Sequence, residues 1–323
     1  MSDDAPKIRL LGSETVDELA TVELGLAAAE EAATLSRDKV ASARVQVNGD
    51  VSWMRVLAGN LTELDLTGYK EFHRVGRRVR YHVHLFREST GDALGIVDGR
   101  RITSLRTSAT AAVAARKWAN GRPIRVGVIG SGEEAREGLR ALHGALDVLW
   151  ASVYSPTPAN RKVFATAMSE ALSLDVTAAD SHDTVLAGCD VLYVATSSHH
   201  DAFLARANLD GVPLVLAIGS TQRVHRELSG DAFLDATVVV DTPDATHESG
   251  DCLEAIELGW DPESAVRLEE YLRYAEVPEG RTLFKSIGSV EQDLVLAAHL
   301  LRAAEREGRG VVVDPVGSLR IMR

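Results

Sequence analysis

The sequence predicts an α/β protein. A doubly wound domain with a parallel sheet is inserted into a second α/β domain assembled from both chain ends. Three observations predict this. From Arg125 onward, short Val- and Ile-rich runs alternate with stretches of helical period, the pattern of a parallel sheet covered on both faces. One strand-to-helix junction in that series, "VIGSGEEA", spaces its glycines as a nucleotide cradle does. The first 120 residues read instead as helices followed by alternating strands, and a long helix and a short strand come after the β/α series ends.

In chain order, "SETVDELATVELGLAAAEEAATLS" predicts one or two amphipathic helices, with Ser13 as a possible cap. "SARVQVNG", "SWMRVLAG", "TGYKEFHRV", "RVRYHVHLF" and "DALGIVDG" alternate with period two. They predict a mixed or antiparallel sheet with "ESTGD" as one hairpin turn. "ITSLRTSATAAVAARKWANG" predicts a helix ending near Gly121. Strands follow at "RVGVIG", "DVLWASVYS", "LDVTAAD", "DVLYVATSS", "VPLVLAIG", "ATVVVDT" and "TLFKSIG", with "EEAREGLRALHGAL" and "PANRKVFATAMSEAL" among the helices between them. Right-handed crossovers then give a doubly wound domain. The last helix, "VEQDLVLAAHLLRAAEREG", and the tail "GVVVDP" are expected to return to the first domain. The expected division is residues 1–118 plus 295–323 for the outer domain and 119–294 for the inserted one.

At 323 residues, 45% apolar and 25% charged, the chain can bury a sizeable core in two domains. Its net charge of -12 argues against nucleic acid or an anionic membrane as partner, since both select a basic stripe. No apolar run approaches the ~20 residues of a membrane span. "MSDDAPKIRL" has no basic-then-apolar signal segment. Cys189 and Cys252 have neither metal-site spacing nor a disulfide framework and read as buried thiols. The expectation is a cytoplasmic protein with a small-molecule partner and no metal.

The spacing Gly130-x-Gly132-x-x-Ala135 fits the dinucleotide fingerprint of a Rossmann domain. Gly130 permits a tight turn, Gly132 lets a pyrophosphate approach the backbone, and Ala135 lets helix pack on strand. The helix opening at Glu133 turns its positive end toward the phosphates. A carboxylate at the end of the second strand would grip the ribose 2′-hydroxyl of NAD. Ser155 stands there instead, followed by Thr157, Asn160, Arg161 and Lys162. NADP(H) is therefore favoured as cofactor and NAD(H) is possible. The alternative for Arg161 and Lys162 is a solvated helix face. Thr196 and Ser197 follow the fourth strand and are candidate coenzyme contacts, because strand C-terminal ends line the crevice.

At this point the chain resembles the ornithine cyclodeaminase/mu-crystallin family. "DGRRITSLRTSATAAVAARKWA", "GYK", "VGVIGSG", "LAIGS", "HESGD" and "KSIGSVEQDL" carry the resemblance, in the family's order and over nearly the whole chain. The resemblance implies a homodimer-forming and substrate-binding outer domain. It implies that Lys70 and Arg106 bind a substrate carboxylate, that Arg44 or Arg55 adds a second guanidinium, and that Gly219 joins Gly130, Gly132, Glu133 and Ala135 among the coenzyme contacts. A guanidinium makes a two-point grip on a carboxylate that a point charge cannot. In the family's cyclodeaminases an aspartate stands two residues beyond the glycine of "LAIG"; here Thr221 occupies that position. A carboxylate can shuttle protons at nitrogen, whereas a threonine hydroxyl only donates or accepts a hydrogen bond.

Lys70, Arg106 and Thr221 are therefore the candidate catalytic residues for a one-step hydride transfer at the C–N bond of a small α-imino or α-amino acid. Two alternatives stand beside it. One is a cyclodeaminase that releases ammonia by means of another residue. The other is a non-catalytic NADP(H)-binding protein. Among the histidines, His82 and His84 share one strand face, which could line a cleft, bridge a metal or have no role. His225 stands near Thr221, His199 and His200 follow the fourth strand, and His247-Glu248 suit a cap.

Overall fold

The computed structural model describes residues 7–197, 201–274 and 276–315. The chain divides into two compact units. One joins the stretch that ends at Arg106 to the stretch that begins at Val290; Thr107–Ser289 forms the other. In chain order the outer unit holds β1 (Ile8–Leu11), α1 (Ser13–Leu19), α2 (Val22–Thr34), β2 (Val40–Asn48), β3 (Ser52–Leu61), β4 (Leu66–Val75), β5 (Arg78–Arg87), β6 (Ala93–Asp98) and the first turns of α3 (Arg100–Ala119). The inner unit holds β7 (Ile124–Ile129), α4 (Glu133–Ala145), β8 (Val148–Tyr154), α5 (Pro158–Leu172), β9 (Val176–Ala178), α6 (His182–Leu186), β10 (Val191–Val194), β11 (Leu214–Ala217), β12 (Ala236–Val240), α7 (Ala245–Glu248), α8 (Gly250–Glu257), β13 (Val266–Arg267), α9 (Leu268–Arg273) and β14 (Arg281–Lys285). α10 (Val290–Arg306) and β15 (Val311–Val313) return to the outer unit.

The division falls inside α3 and ahead of α10, whereas the sequence reading places it at 118/119 and 294/295. Ile102 and Leu105 of α3 belong to the outer unit's core, as do Val290 and Leu294 of α10. Apolar contacts set where the units part.

The outer sheet runs β15-β1-β6-β5-β4-β3-β2 among the described residues. It is mixed: β2 through β6 form an antiparallel ladder, β6 pairs parallel with β1, and β15 pairs antiparallel with β1. Arg44, Leu57, Lys70 and Val83 pair in one row across β2 to β5, and Arg55 pairs with Phe72 two residues along. Opposed residues project to the same face and successive ones alternate. Arg44, Arg55 and Lys70 therefore share a face. α10 lies on that face, with Val290 against Gly59, where a Cβ would come within 2.6 Å of the valine Cγ1. One local expectation changed at a helix start. Gly12, not Ser13, precedes α1, and no side chain caps it. Thr21 caps α2, its Oγ1 accepting from the Leu24 amide at 3.2 Å.

The inner sheet is parallel throughout, in the order β13-β12-β14-β11-β10-β7-β8-β9. The chain leaves β7 toward β8 and β9, then crosses back to place β10 and β11 on the other side. That reversal creates the crevice at the ends of β7 and β10 where nucleotides bind in such sheets. β10 and β11 are buried along their whole length, which is why both read as unbroken apolar runs. Cys189 and Cys252 are buried here, and burial pushes each thiol up to about 12. No helix among the described residues is long and apolar enough to cross a membrane.

Candidate active site

In the inner unit, β7 ends in a turn that only glycine fits. Gly130 has φ +116°, and a Cβ there would lie 2.1 Å from the carbonyl oxygen of Ala195, just past β10. L side chains rarely adopt that φ. Gly132 precedes α4 with no side-chain cap, and a Cβ there would meet nothing within 4 Å. Ala135 is fully buried and Gly138 packs on the Tyr193 ring, so small residues bring α4 down onto β10. Strand, close turn, open glycine and uncapped helix start together fit a pyrophosphate. Glu133 is the exposed first residue of α4.

At the end of β8, the Ser131 hydroxyl donates to Oγ of the buried Ser155 at 3.0 Å. Thr157 is exposed and precedes α5. Arg161 is buried rather than solvated. Its Nη1 donates to the Ser155 carbonyl at 3.1 Å, its Nη2 to Oδ1 of Asp180 at 2.6 Å, and the guanidinium lies 5.5 Å from the Tyr154 ring centre. Asp180, just beyond β9, was not anticipated. Lys162 is exposed.

Past β10 and β11, Thr196 and Gly219 are tied to one buried carboxylate, Glu227, also unanticipated. Ser197 is exposed beside Thr196. Thr221 is half-buried and its amide donates to the Gly219 carbonyl. The carbonyl of His225 accepts from Ser220 Oγ at 2.7 Å. His247 is exposed in α7. His199 and His200 lie outside the described residues.

In the outer unit, Lys70 and Arg106 come together on Asp293, which α10 presents from its first turn. Lys70 Nζ donates to Asp293 Oδ1 at 2.9 Å and to Thr103 Oγ1 at 2.8 Å. Arg106 Nε lies 3.3 Å from the same Oδ1, and its Nη1 donates to Gln292 Oε1 at 3.3 Å. Lys70 is 2% exposed and the Asp293 side chain 1%, so these charges meet away from water, where an unbalanced one is costly. Phe72 and Tyr81 lie under the ammonium, 5.9 and 5.7 Å from ring centre to Nζ. Two cations share one carboxylate, and Asp293 Oδ2 is buried with no hydrogen-bond partner among the described residues. Arg55 donates to Gln46 Oε1 at 3.1 Å; it and Arg44 stay on Lys70's face of the sheet. A signal for Asp293 is its place in "VEQDL", where Glu291, Gln292 and Asp293 stand in a row at the head of α10 and all three are buried.

His82 and His84 sit on the opposite face. His84 pairs in register with Tyr69 and stacks on it at 4.5 Å, and His82 Nδ1 lies 2.6 Å from Glu71 Oε1. His73 is 3.3 Å from the other oxygen of Glu71. Although burial works the other way, the two imidazoles hold the Glu71 carboxyl below its usual range. The described residues contain no group of three side chains arranged to hold a metal ion.

The profile model of the ornithine cyclodeaminase/mu-crystallin family matches residues 12–305. A Delta(1)-pyrroline-2-carboxylate reductase of Bacillus cereus is 26% identical over 317 residues, 94% of this chain and 96% of that protein. The NAD(P)H-dependent anabolic L-arginine dehydrogenase of Pseudomonas aeruginosa is 33% identical over 220 residues, 66% of this chain and 68% of that protein. Among solved structures, Thermococcus litoralis Delta(1)-pyrroline-2-carboxylate reductase in complex with NADH and L-proline superposes with a TM-score of 0.85. It is 24% identical, covering 94% of this chain and 99% of that one.

Proposed function

The chain belongs to the ornithine cyclodeaminase/mu-crystallin family, and from that premise we propose that it is an NAD(P)H-dependent oxidoreductase acting at the C–N bond of a small α-imino or α-amino acid. The observation that carries this is the convergence of Lys70 and Arg106 on Asp293. These three groups hold one positive charge in excess, which suits one further carboxylate. Arg106 takes the substrate carboxylate through its fork. Lys70, held by Asp293 and Thr103, fixes its second side and is the ammonium from which the substrate nitrogen can take a proton. Asp293 Oδ2 is an acceptor for an N–H of that nitrogen. When bound between Gly130, Gly132 and the ends of β8, β10 and β11, the reduced coenzyme supplies the hydride. Thr221 offers a hydrogen bond and no proton shuttle, which favours this reading over ring closure with ammonia loss.

The test is a nicotinamide-absorbance screen of cyclic imino acids and 2-oxo-acid/amine pairs with both coenzymes. Net oxidation of NADH or NADPH with at least one imino acid is expected. Ammonia release from a diamino acid without net absorbance change supports the cyclodeaminase. Coenzyme binding with no turnover anywhere in the panel supports a non-catalytic binder.

Coenzyme choice is set by opposed charges. Arg161 favours the 2′-phosphate of NADPH, and Asp180, its side chain 96% exposed, opposes it. Asp180→Asn is expected to move the NADPH-to-NADH ratio of kcat/KM about tenfold toward NADPH, the ~1.4 kcal/mol that one lost like-charge contact supplies. An unmoved ratio removes this pair from the coenzyme site.

The sheet face opposite α10 exposes Val45, Val47 and Met54 at 56%, 58% and 41%, beside the aromatic surface of Tyr69 and Phe86. This is the face proposed to bury itself in a homodimer. Val45→Glu with Met54→Glu is expected to give a monomer in light scattering; a dimer of unchanged mass would place the contact elsewhere.

A further inference from the structure

Glu227 is fully buried, and four hydrogen bonds converge on its two oxygens. The amide and the hydroxyl of Thr196 donate to Oε1 at 2.6 and 2.7 Å. The amides of Gly219 and Ser220 donate to Oε2 at 2.7 and 3.1 Å. An ionised carboxylate has about four lone-pair sites, so these donors fill it. They come from the segments that leave β10 and β11, and Thr196 follows Ala195, against which Gly130 packs. A Cβ on Gly219 would fall 2.2 Å from Oε1, so the glycine of "LAIGS" is required by this carboxylate.

Two other charged groups face it, both buried. Asp251 of α8 accepts from the Glu227 and Leu228 amides through Oδ1, at 2.8 and 3.3 Å. Lys285 of β14 donates to Asp251 Oδ2 at 3.3 Å. One ammonium thus serves two carboxylates. Burial, with the Asp251 charge added, pushes Glu227 up to about 7 although Lys285 and the Thr196 donors pull it down.

We propose that Glu227 is a positioning residue whose ionised form holds the segments after β10 and β11 in place and fixes the Thr196 hydroxyl as an acceptor toward the nicotinamide carboxamide of the coenzyme. The chemistry follows from donor count. With Glu227 ionised, Thr196 Oγ1 gives its proton inward and turns lone pairs outward. With Glu227 protonated, only the hydroxyl can reverse to accept, because the three amides cannot. Thr196 then presents a proton to the carboxamide N–H₂ and the bond is lost. With Glu227 pushed up to about 7, part of the coenzyme-free protein carries the proton near neutrality, and coenzyme binding draws that part off.

This rests on the dinucleotide reading above. The test is fluorescence titration with NADH, whose phosphates do not titrate near neutrality, unlike the 2′-phosphate monoester of NADPH. If only the ionised form binds, wild-type affinity falls about tenfold from pH 8 to pH 6 as the competent fraction falls. Calorimetry in two buffers of different ionisation heat should show part of a proton released per NADH bound near pH 7. Glu227→Gln sets an N–H₂ against donors. It should bind about tenfold more weakly at pH 8, with neither pH dependence nor proton release. Thr196→Val should show the same flattening while Thr196→Ser keeps the wild-type profile, which decides the matter if Glu227→Gln does not fold. Thr196→Val binding within twofold of wild type at both pH values, or a flat wild-type profile, overturns the proposal. If NADPH alone binds, the same profiles are compared as differences from Glu227→Gln. Failure of wild type to bind either coenzyme overturns the dinucleotide reading itself.

Discussion

Arg106→Ala is expected to raise KM for the carboxylate substrate about a hundredfold or more while leaving coenzyme affinity unchanged. A charge-assisted hydrogen bond contributes about 1.5–3 kcal/mol, and a two-point guanidinium grip makes two of them. Loss of roughly 3 kcal/mol is about two decades in affinity. The fold should survive, because Lys70 still faces Asp293 at 2.9 Å when Gln292 loses the Arg106 Nη1 donor. Arg106→Lys should recover little, since an ammonium keeps the charge but loses the planar fork. The contrast with coenzyme binding matters: Arg106 belongs to the outer unit, whereas Gly130 and Gly132 belong to the inner one. An unchanged KM in Arg106→Ala, with the substrate established by the absorbance screen, would take the guanidinium out of the substrate site.

What could be read in advance was what is local to the chain. Gly130 and Gly132 declare themselves because a positive φ and an open helix start need glycine at a set spacing. The span of α5 was legible because Pro158 opens it and the apolar period runs unbroken behind it. Lys70 and Arg106 were named through likeness to a family, and the structure adds the carboxylate they meet. Asp180 was not legible because only the fold brings it beside Arg161, and Asp293 and Glu227 were not legible for one shared reason. An acidic residue in a sequence reads as solvated, and only tertiary partners reverse that. Three of the four donors to Glu227 are backbone amides, which leave no trace in residue identity. The side taken by His82 and His84 was open for a different reason: a one-residue shift in register moves every side chain of a strand to the other face. The placement of β14 between β11 and β12 is likewise a matter of long-range pairing.

The Lys70–Asp293–Arg106 cluster should respond unequally to loss of its members. Removing one partner of a buried pair costs about 3–5 kcal/mol, because the other charge stays in a low-dielectric site. Lys70→Met leaves Arg106 Nε 3.3 Å from Asp293, so the carboxylate keeps a cation and methionine fills much of the lysine's volume. Asp293→Asn removes the carboxylate that both cations share. Asp293→Asn should therefore cost the larger amount, lowering the melting temperature of the unfolding step that contains the outer unit by about 10 °C, at ~2–4 °C per kcal/mol. Lys70→Met should cost less than half as much, and the double variant should be more stable than Asp293→Asn alone, since it drops one of the two cations. Function should follow the opposite order for a different reason. Lys70→Met removes the ammonium that faces the substrate and should lower kcat by about a hundredfold, in the range expected for loss of a positioned proton donor. Asp293→Asn keeps Lys70 and Arg106, so at temperatures where it is folded it should retain more activity. A substrate carboxylate would take the place of the missing one, and added substrate should raise the melting temperature of Asp293→Asn more than that of wild type. Equal destabilisation by the two single variants, with a double variant no better than either, would mean that Asp293 does not balance the two cations and that the cluster is held by other groups.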